Sequence, residues 1–329
     1  MKKILITTPL PEEVADKYKD EFILDYPEQG KQFSKDELIT KIKEAHGYLG
    51  GPLTREMIDN AYQLEIASSF GAGFEHLDYI YAGEKGIWVM NAPHATTEPT
   101  AELTMTILLC LSRRVPNFIN FMRKRGECSG ISTFVEPIDS AASPTVTYGK
   151  TLGIVGFGKI GKSVSKKAQA FGMNVIYYNT TRESESVEKE YNVRYVSFEE
   201  LLKTADYVTL HCQYKPENHH LMDTAQFKIM KPTAYFINAG RGKLMNERAL
   251  IEALKTKEIL GAALDVFEFE PEITPELLEL ENVVLTPHIG TSAYESRVVM
   301  ATEALDGIAA QLRGGKSPTI VNEKYYKAK

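Results

Sequence analysis

Short apolar runs alternate with amphipathic stretches along almost the whole chain, and few folds satisfy that alternation. Apolar runs at residues 3–7, 22–24, 47–49, 65–68 and 88–90 read as strands, with helical patterns at 35–45 and 55–61 between them. The pattern restarts at 151–155, followed by a helix over 160–171 and a strand at 174–178. Further strands are predicted at 207–211, 234–237, 261–264 and 283–285, and a last helix at 292–312. Strands that alternate with helices form βαβ units, so the expected class is α/β, a parallel sheet with helices on both faces. A chain of 329 residues has room for about two such domains at about 150 residues each.

One stretch departs from this rhythm. Leu103, Ile107, Leu111, Val115, Phe118 and Met122 recur at helical spacing from about Pro99 onward. A single long helix is predicted there, kinked at Pro116, because proline removes an intrahelical hydrogen bond. Residues 128–143 show no period and read as a loop. Threonines interrupt the apolar run at 103–111, and Arg113 and Arg114 close it, so no membrane span is expected. The apolar run after Met1-Lys2-Lys3 stops at Thr7-Thr8-Pro9, too short for a signal peptide, and is better explained as a buried first strand. The net charge of −6 argues against a general nucleic-acid binder, which needs a basic surface. Three cysteines without metal-ligand spacing point to a reducing, cytoplasmic setting and no disulfide framework.

Gly156, Gly158 and Gly161 fit G-x-G-x-x-G between an apolar strand and a helical pattern, the context that makes this motif a dinucleotide turn. The first glycine permits the tight turn and the second lets backbone approach a pyrophosphate. The third allows close strand–helix packing. Gly156, Gly158, Lys159, Ile160 and Gly161 are therefore candidate cofactor contacts, with the helix N-terminus facing the phosphates. An acid at the end of the next strand would read the ribose of NAD. Here that position is Asn179, followed by Thr180, Thr181 and Arg182. Asn179 carries no charge to exclude a 2′-phosphate, and Arg182 could pair with one. The reading leans to NADP, or to use of both NADP and NAD, with Glu183 as a possible offset to Arg182.

Polar residues gather after apolar strands in four segments: Ser69 to Gly73, Asn238 to Gly242, Asp265 to Pro271, and Thr286 to Gly290. Ligands of open parallel sheets bind outside the carboxyl ends of strands, so these loops are expected to converge on one crevice. Reduction of a 2-oxo acid needs a cation for the carboxylate, a proton donor for the carbonyl oxygen, and a hydride. Arg241 suits the first. His288 suits the second, with Glu270 to raise its pKa and orient the ring. Asp265 is a candidate for orienting the nicotinamide. The remaining histidines show no zinc spacing, and no metal is expected.

These motifs, together with Asn91-Ala92-Pro93 and Ala101-Glu102-Leu103, make the sequence resemble the D-isomer-specific 2-hydroxyacid dehydrogenase family, glyoxylate/hydroxypyruvate reductases included, over nearly the whole chain. The separations of 29 positions from Arg241 to Glu270 and 18 from Glu270 to His288 are typical of that family. The resemblance implies an Arg241–Glu270–His288 active site, a substrate carboxylate on the amides of Ala72 and Gly73, and an R (D) hydroxy acid as reduction product. It adds Cys212, Asn218, Ala239, Gly240 and Gly290 to the cofactor contacts. It also implies two doubly wound parallel-sheet domains. A Rossmann NAD(P)-binding domain, residues 99–292, would be inserted in a discontinuous flavodoxin-like substrate domain, residues 1–98 and 293–329. A homodimer acting on a small 2-oxo or 2-hydroxy acid is implied, with no nucleic-acid or membrane partner. Asn179 in place of the usual acid, Gln213 in place of a proline, and Glu75-His76 in place of Asp-Asn are departures. Two other readings remain open: a formate- or phosphite-type dehydrogenase of the same family, though formate enzymes usually have Gln where Pro287 stands, and a nucleotide-sensing corepressor-like binding protein.

Overall fold

The computed structural model describes residues 1–126 and 143–328. Most of the segment read as a loop at 128–143, Cys128 included, lies outside the described residues. The chain divides into two compact units, one formed by Met1–Thr96 and Thr291–Lys329, the other by Thr97–Gly290.

The first unit holds strands β1 (Lys3–Ile6), β2 (Ile23–Asp25), β3 (Gly47–Leu49), β4 (Ile66–Ser68) and β5 (Trp88–Met90). They form one sheet in the order β2-β1-β3-β4-β5, and every pairing is parallel. That is the flavodoxin-like order. Side chains alternate across a strand, and both sides of β1 are buried. Ile4 and Ile6 join one apolar cluster with Ala301, Ala304, Leu305 and Ile308 of the helix Tyr294–Leu312. Leu5 joins another with Ile42, Tyr48 and Met57. A slip of one residue would exchange the two sets, so burial on both faces sets the register.

The second unit holds β6 (Thr151–Val155), β7 (Asn174–Tyr178), β8 (Arg194–Tyr195), β9 (Tyr207–Leu210), β10 (Tyr235–Asn238), β11 (Gly261–Leu264) and β12 (Val283–Leu285). The order is β12-β11-β10-β9-β6-β7-β8, again all parallel. Counted from β6 this is the Rossmann order 3-2-1-4-5-6 with one more strand outside it. Tyr235 and Ile237 of β10 enter the cluster under the helices Thr97–Ser112 and Lys159–Ala170. Phe236 enters the opposite cluster with Leu201, Phe227 and Leu250. The order reverses between β6 and β9, so a gap for a ligand opens beyond their carboxyl ends.

Two expectations need correction. The helix predicted from about Pro99 to Met122 is two helices, Thr97–Ser112 and Val115–Arg125. The break lies at Arg113 and Arg114, and Arg114 takes a left-handed φ of 53°. Pro116 sits in the first turn of the second helix, where its missing N–H is not needed, so it starts a helix instead of kinking one. The two-residue strand β8 was not anticipated, since two residues are too few to show an alternation.

Candidate active site

The glycine turn leaves β6 under tight steric control. Gly156 has φ of 99°, and a Cβ there would lie 2.3 Å from the backbone nitrogen of Cys212. A Cβ on Gly161 would lie 2.4 Å from the carbonyl oxygen of Gly156. Gly158 is different: a Cβ there would meet nothing within 4 Å. Packing therefore demands two of the three glycines, and the middle one faces open space. Gly158 also caps the helix Lys159–Ala170 without any side-chain hydrogen bond. The first-turn N–H groups, those of Lys159, Ile160 and Gly161 among them, lack intrahelical acceptors. These amides and the positive end of the helix dipole suit an anion, so the residues present fit a dinucleotide pyrophosphate. The turn adjoins an orphaned polar atom, Nδ1 of His211, which has no partner among the described residues. Burial pushes the His211 pKa down to about 3, so the ring is neutral. Burial also pushes the Cys212 thiol up to about 11, which makes it an inert wall and not a nucleophile.

At the end of β7, Asn179 accepts a hydrogen bond from the Phe157 N–H at 2.7 Å through Oδ1. It braces the glycine turn, and its amide NH2 is not used in that bond. Thr180 is exposed. Arg182 donates two hydrogen bonds to Glu188, at 2.8 and 2.7 Å, and Tyr177 Oη donates a third to the same carboxylate at 2.7 Å. Those bonds hold Glu188 down to about 2. Glu183, expected to offset Arg182, instead pairs with Lys162 at 2.9 Å. Asn218 braces its own loop, accepting from the Lys215 N–H at 2.7 Å and donating to the Gln213 carbonyl at 2.8 Å.

Arg241, Glu270 and His288 follow β10, β11 and β12, which are consecutive neighbours in the sheet. Adjacent parallel strands end side by side, so the three loops meet. Asn238, fully buried at the end of β10, accepts from the Gly240 N–H and donates to the Arg241 carbonyl, both at 3.0 Å. That clamp turns the chain so that Ala239 is buried, Gly240 half-buried and Arg241 half-buried. Arg241 Nη1 also donates to the Gly240 carbonyl at 2.8 Å. Glu270 receives the Phe267 N–H at 2.8 Å on Oε1 and faces His288 Nδ1 at 3.0 Å through Oε2.

Asp265 is almost fully buried and holds the 286–290 loop with both carboxylate oxygens. Oδ1 accepts from Thr286 Oγ1 at 2.7 Å and from the Ile289 N–H at 2.8 Å, and Oδ2 accepts from the Gly290 N–H at 2.9 Å. His288 lies inside this clasp with φ of 54°, a strained region for a residue with a Cβ and one found at functional sites. The hydrogen bond to Glu270 raises the His288 pKa; burial opposes it, Glu270 and Asp265 add to it by charge, and the Arg241 charge lowers it. For Glu270, burial pushes upward, but the bonds from His288 and the Phe267 N–H, with the charges of His288 and Arg241, outweigh it and leave the carboxyl below its usual range.

In the first unit, the Gly71 and Ala72 carbonyls of the loop after β4 are engaged. Ser69 Oγ donates to the Gly71 carbonyl at 2.7 Å, and Asn91 Nδ2 donates to the Ala72 carbonyl at 2.8 Å. His76, one of the departures in this loop, contacts the Gly50 carbonyl at 3.1 Å. The sequence reading missed the bracing role of Asn238; its signal was an asparagine at the end of an otherwise apolar strand.

Residues 105–290 match the family described as D-isomer specific 2-hydroxyacid dehydrogenase, NAD binding domain. A relative from Staphylococcus saprophyticus, assigned provisionally as a 2-hydroxyacid dehydrogenase, is 41% identical over 98% of this chain and 100% of its own length. The chain belongs to the D-isomer specific 2-hydroxyacid dehydrogenases. Among solved structures, a Thermus thermophilus protein matches this dehydrogenase with a TM-score of 0.86 at 33% identity, over 97% of this chain and 99% of that one. An NADPH-dependent glyoxylate/hydroxypyruvate reductase from Sinorhizobium meliloti, in complex with NADP and malonate, matches with a TM-score of 0.82 at 25% identity, over 100% and 99% of the two chains. No helix among the described residues is long and apolar enough to cross a membrane.

Two glycine variants separate packing from binding. Gly161→Ala is expected to lower the melting temperature by several degrees, since a backbone atom must move for its Cβ. Gly158→Ala is expected to leave the melting temperature unchanged while weakening NADPH and NADH binding about tenfold or more, as a Cβ enters the phosphate approach. Thermal denaturation and fluorescence titration of the two variants check both; equal cofactor affinity for Gly158→Ala and the unsubstituted protein would contradict the assignment of the turn.

Proposed function

We propose that this dehydrogenase reduces a small 2-oxo acid to the R (D) 2-hydroxy acid, using NADPH or both NADPH and NADH. The observation that carries this reading is the His288–Glu270 hydrogen bond at 3.0 Å with Arg241 close enough to influence both pKa values. The pyrophosphate is assigned to Gly156, Gly158, Lys159, Ile160 and Gly161. The adenosine and nicotinamide ends are assigned to Asn179, Thr180, Arg182, Cys212, Asn218, Ala239, Gly240, Asp265 and Gly290. When bound, the dihydronicotinamide supplies the hydride.

The protein's own groups do the rest. Arg241 pairs with the substrate carboxylate and polarises the adjacent carbonyl, with the Ala72 and Gly73 amides as further carboxylate donors. Protonated His288 gives its proton to the carbonyl oxygen as negative charge develops there, then recovers one from solvent. Glu270 keeps that proton on His288 to higher pH and fixes the ring through Nδ1, which leaves Nε2 for the substrate. Asp265 keeps the 286–290 loop in place through its three hydrogen bonds. The resemblance to the Sinorhizobium meliloti reductase supports glyoxylate and hydroxypyruvate as the first substrates to test. Its dependence on NADPH, and an uncharged Asn179 at the end of β7, support a 2′-phosphate being accepted. Arg182 would then leave or share Glu188.

Turnover of NADPH and NADH with glyoxylate, hydroxypyruvate, pyruvate and 2-oxoisocaproate tests this function directly; no oxidation with any of them overturns it. His288→Ala should lower kcat for reduction by about 10²–10⁴, and a near-normal kcat would remove His288 as proton donor.

The pH dependence follows in sign. A raised His288 pKa means that reduction holds at low pH and falls as pH rises through that value, above the ordinary histidine value of about 6.5. Glu270→Gln should move this basic limb of the kcat profile to lower pH, and an unmoved limb would contradict the pairing.

For cofactor choice, Arg182→Ala should cut kcat/KM for NADPH about tenfold or more relative to NADH, the scale of a lost charge-assisted hydrogen bond. An unchanged ratio would assign the 2′-position elsewhere.

A further inference from the structure

We infer that His219, His220 and Glu268 form a binding site for a zinc-class divalent cation, independent of the reaction proposed above. One ligand atom from each of the three residues lies within 4.8 Å of the other two. Consecutive side chains usually diverge, but His220 has a left-handed φ of 53°, which brings the two imidazoles to one side. Their rings stack with centroids 3.8 Å apart and planes 24° apart. The backbone there is pinned to the segment after β10, with the His220 N–H donating to the Lys243 carbonyl at 3.0 Å and the Met222 N–H to the Leu244 carbonyl at 2.9 Å.

Glu268 is held as a ligand should be. Oε1 meets His220 Nε2 at 2.6 Å, and Oε2 accepts the Glu247 N–H at 2.9 Å. Glu247 is fully buried, and its carboxylate in turn accepts the N–H groups of Glu268 at 2.9 Å and Thr274 at 3.1 Å. Such outer hydrogen bonds orient metal-binding carboxylates and are part of a working site. His219 is exposed, which leaves an entry path and room to adjust. Zinc bonds of about 2.0–2.1 Å place tetrahedral ligands about 3.3 Å apart, so the His219 side chain rotates inward while the 2.6 Å His220–Glu268 pair opens and exchanges its shared proton for the ion.

The donor set decides the ion. Two imidazoles and one carboxylate suit Zn2+, Co2+, Ni2+ or Cu2+, whereas Mg2+ and Ca2+ take oxygen ligands. Three protein ligands leave a fourth position for water. The bound ion would tie the segment after β9 to the loop after β11, two residues before Glu270.

Calorimetric titration of the full chain with ZnCl2 tests the site, read alongside the visible absorption of bound Co2+. Expected is one saturable equivalent with the absorption of four-coordinate Co2+, no binding of Mg2+, and an affinity that falls at least about tenfold in His219→Ala. His219 is exposed, so this variant should fold, and circular dichroism verifies it. His94→Ala removes the histidine that pairs with Glu303 at 2.5 Å elsewhere on the surface and should leave binding unchanged. The proposal falls if Zn2+ shows no saturable equivalent, if His219→Ala binds as tightly as the unsubstituted protein, or if the lost equivalent belongs to His94.

Discussion

Both sheets are parallel and buried on both faces, and that constraint determines where chemistry can occur. Strands such as β6, β10 and β11 present apolar side chains to a cluster on each side. A polar side chain in the middle of such a strand would have to be buried without water, at a cost of about 1–3 kcal/mol if left unpaired. Polar residues are therefore pushed to the carboxyl ends. The glycine turn ends β6, Asn179 ends the β7 segment, and Arg241, Glu270 and His288 follow β10, β11 and β12.

Loops alone do not hold side chains steady, and here a buried or half-buried polar side chain braces each loop of the candidate site. Asn238 clamps the turn that carries Arg241. Asp265 holds the loop that carries His288 in a left-handed conformation. Glu247 and Glu268 exchange backbone and carboxylate bonds across the base of the loop that carries Glu270. Each brace satisfies its own buried atoms with backbone N–H or C=O groups, so its desolvation is compensated. Asp265, read from the sequence as a candidate for orienting the nicotinamide, directs its side-chain hydrogen bonds to the histidine loop.

The electrostatics of the pair depend on the same arrangement. Glu270 is lowered and His288 is raised because each stabilises the charged form of the other. Arg241 opposes the rise at His288 while supporting the anionic Glu270. The Glu270 hydrogen bond outweighs burial, the larger of the two opposing effects, and leaves His288 above the ordinary histidine range.

Local pattern was enough for much of this protein. The alternation of apolar runs, the strand–turn–helix setting of Gly156, Gly158 and Gly161, and the separations among Arg241, Glu270 and His288 led to two parallel sheets, the dehydrogenase family and the candidate site, because strand period, turn sterics and side-chain chemistry are local properties. Tertiary structure decided what depends on contacts between distant residues. It split the predicted long helix at Arg114, committed Arg182 to Glu188 and Asp265 to the loop after β12, and brought His219 and His220 to Glu268. No spacing rule links residues 48 positions apart, since their meeting depends on which strands become neighbours in the sheet.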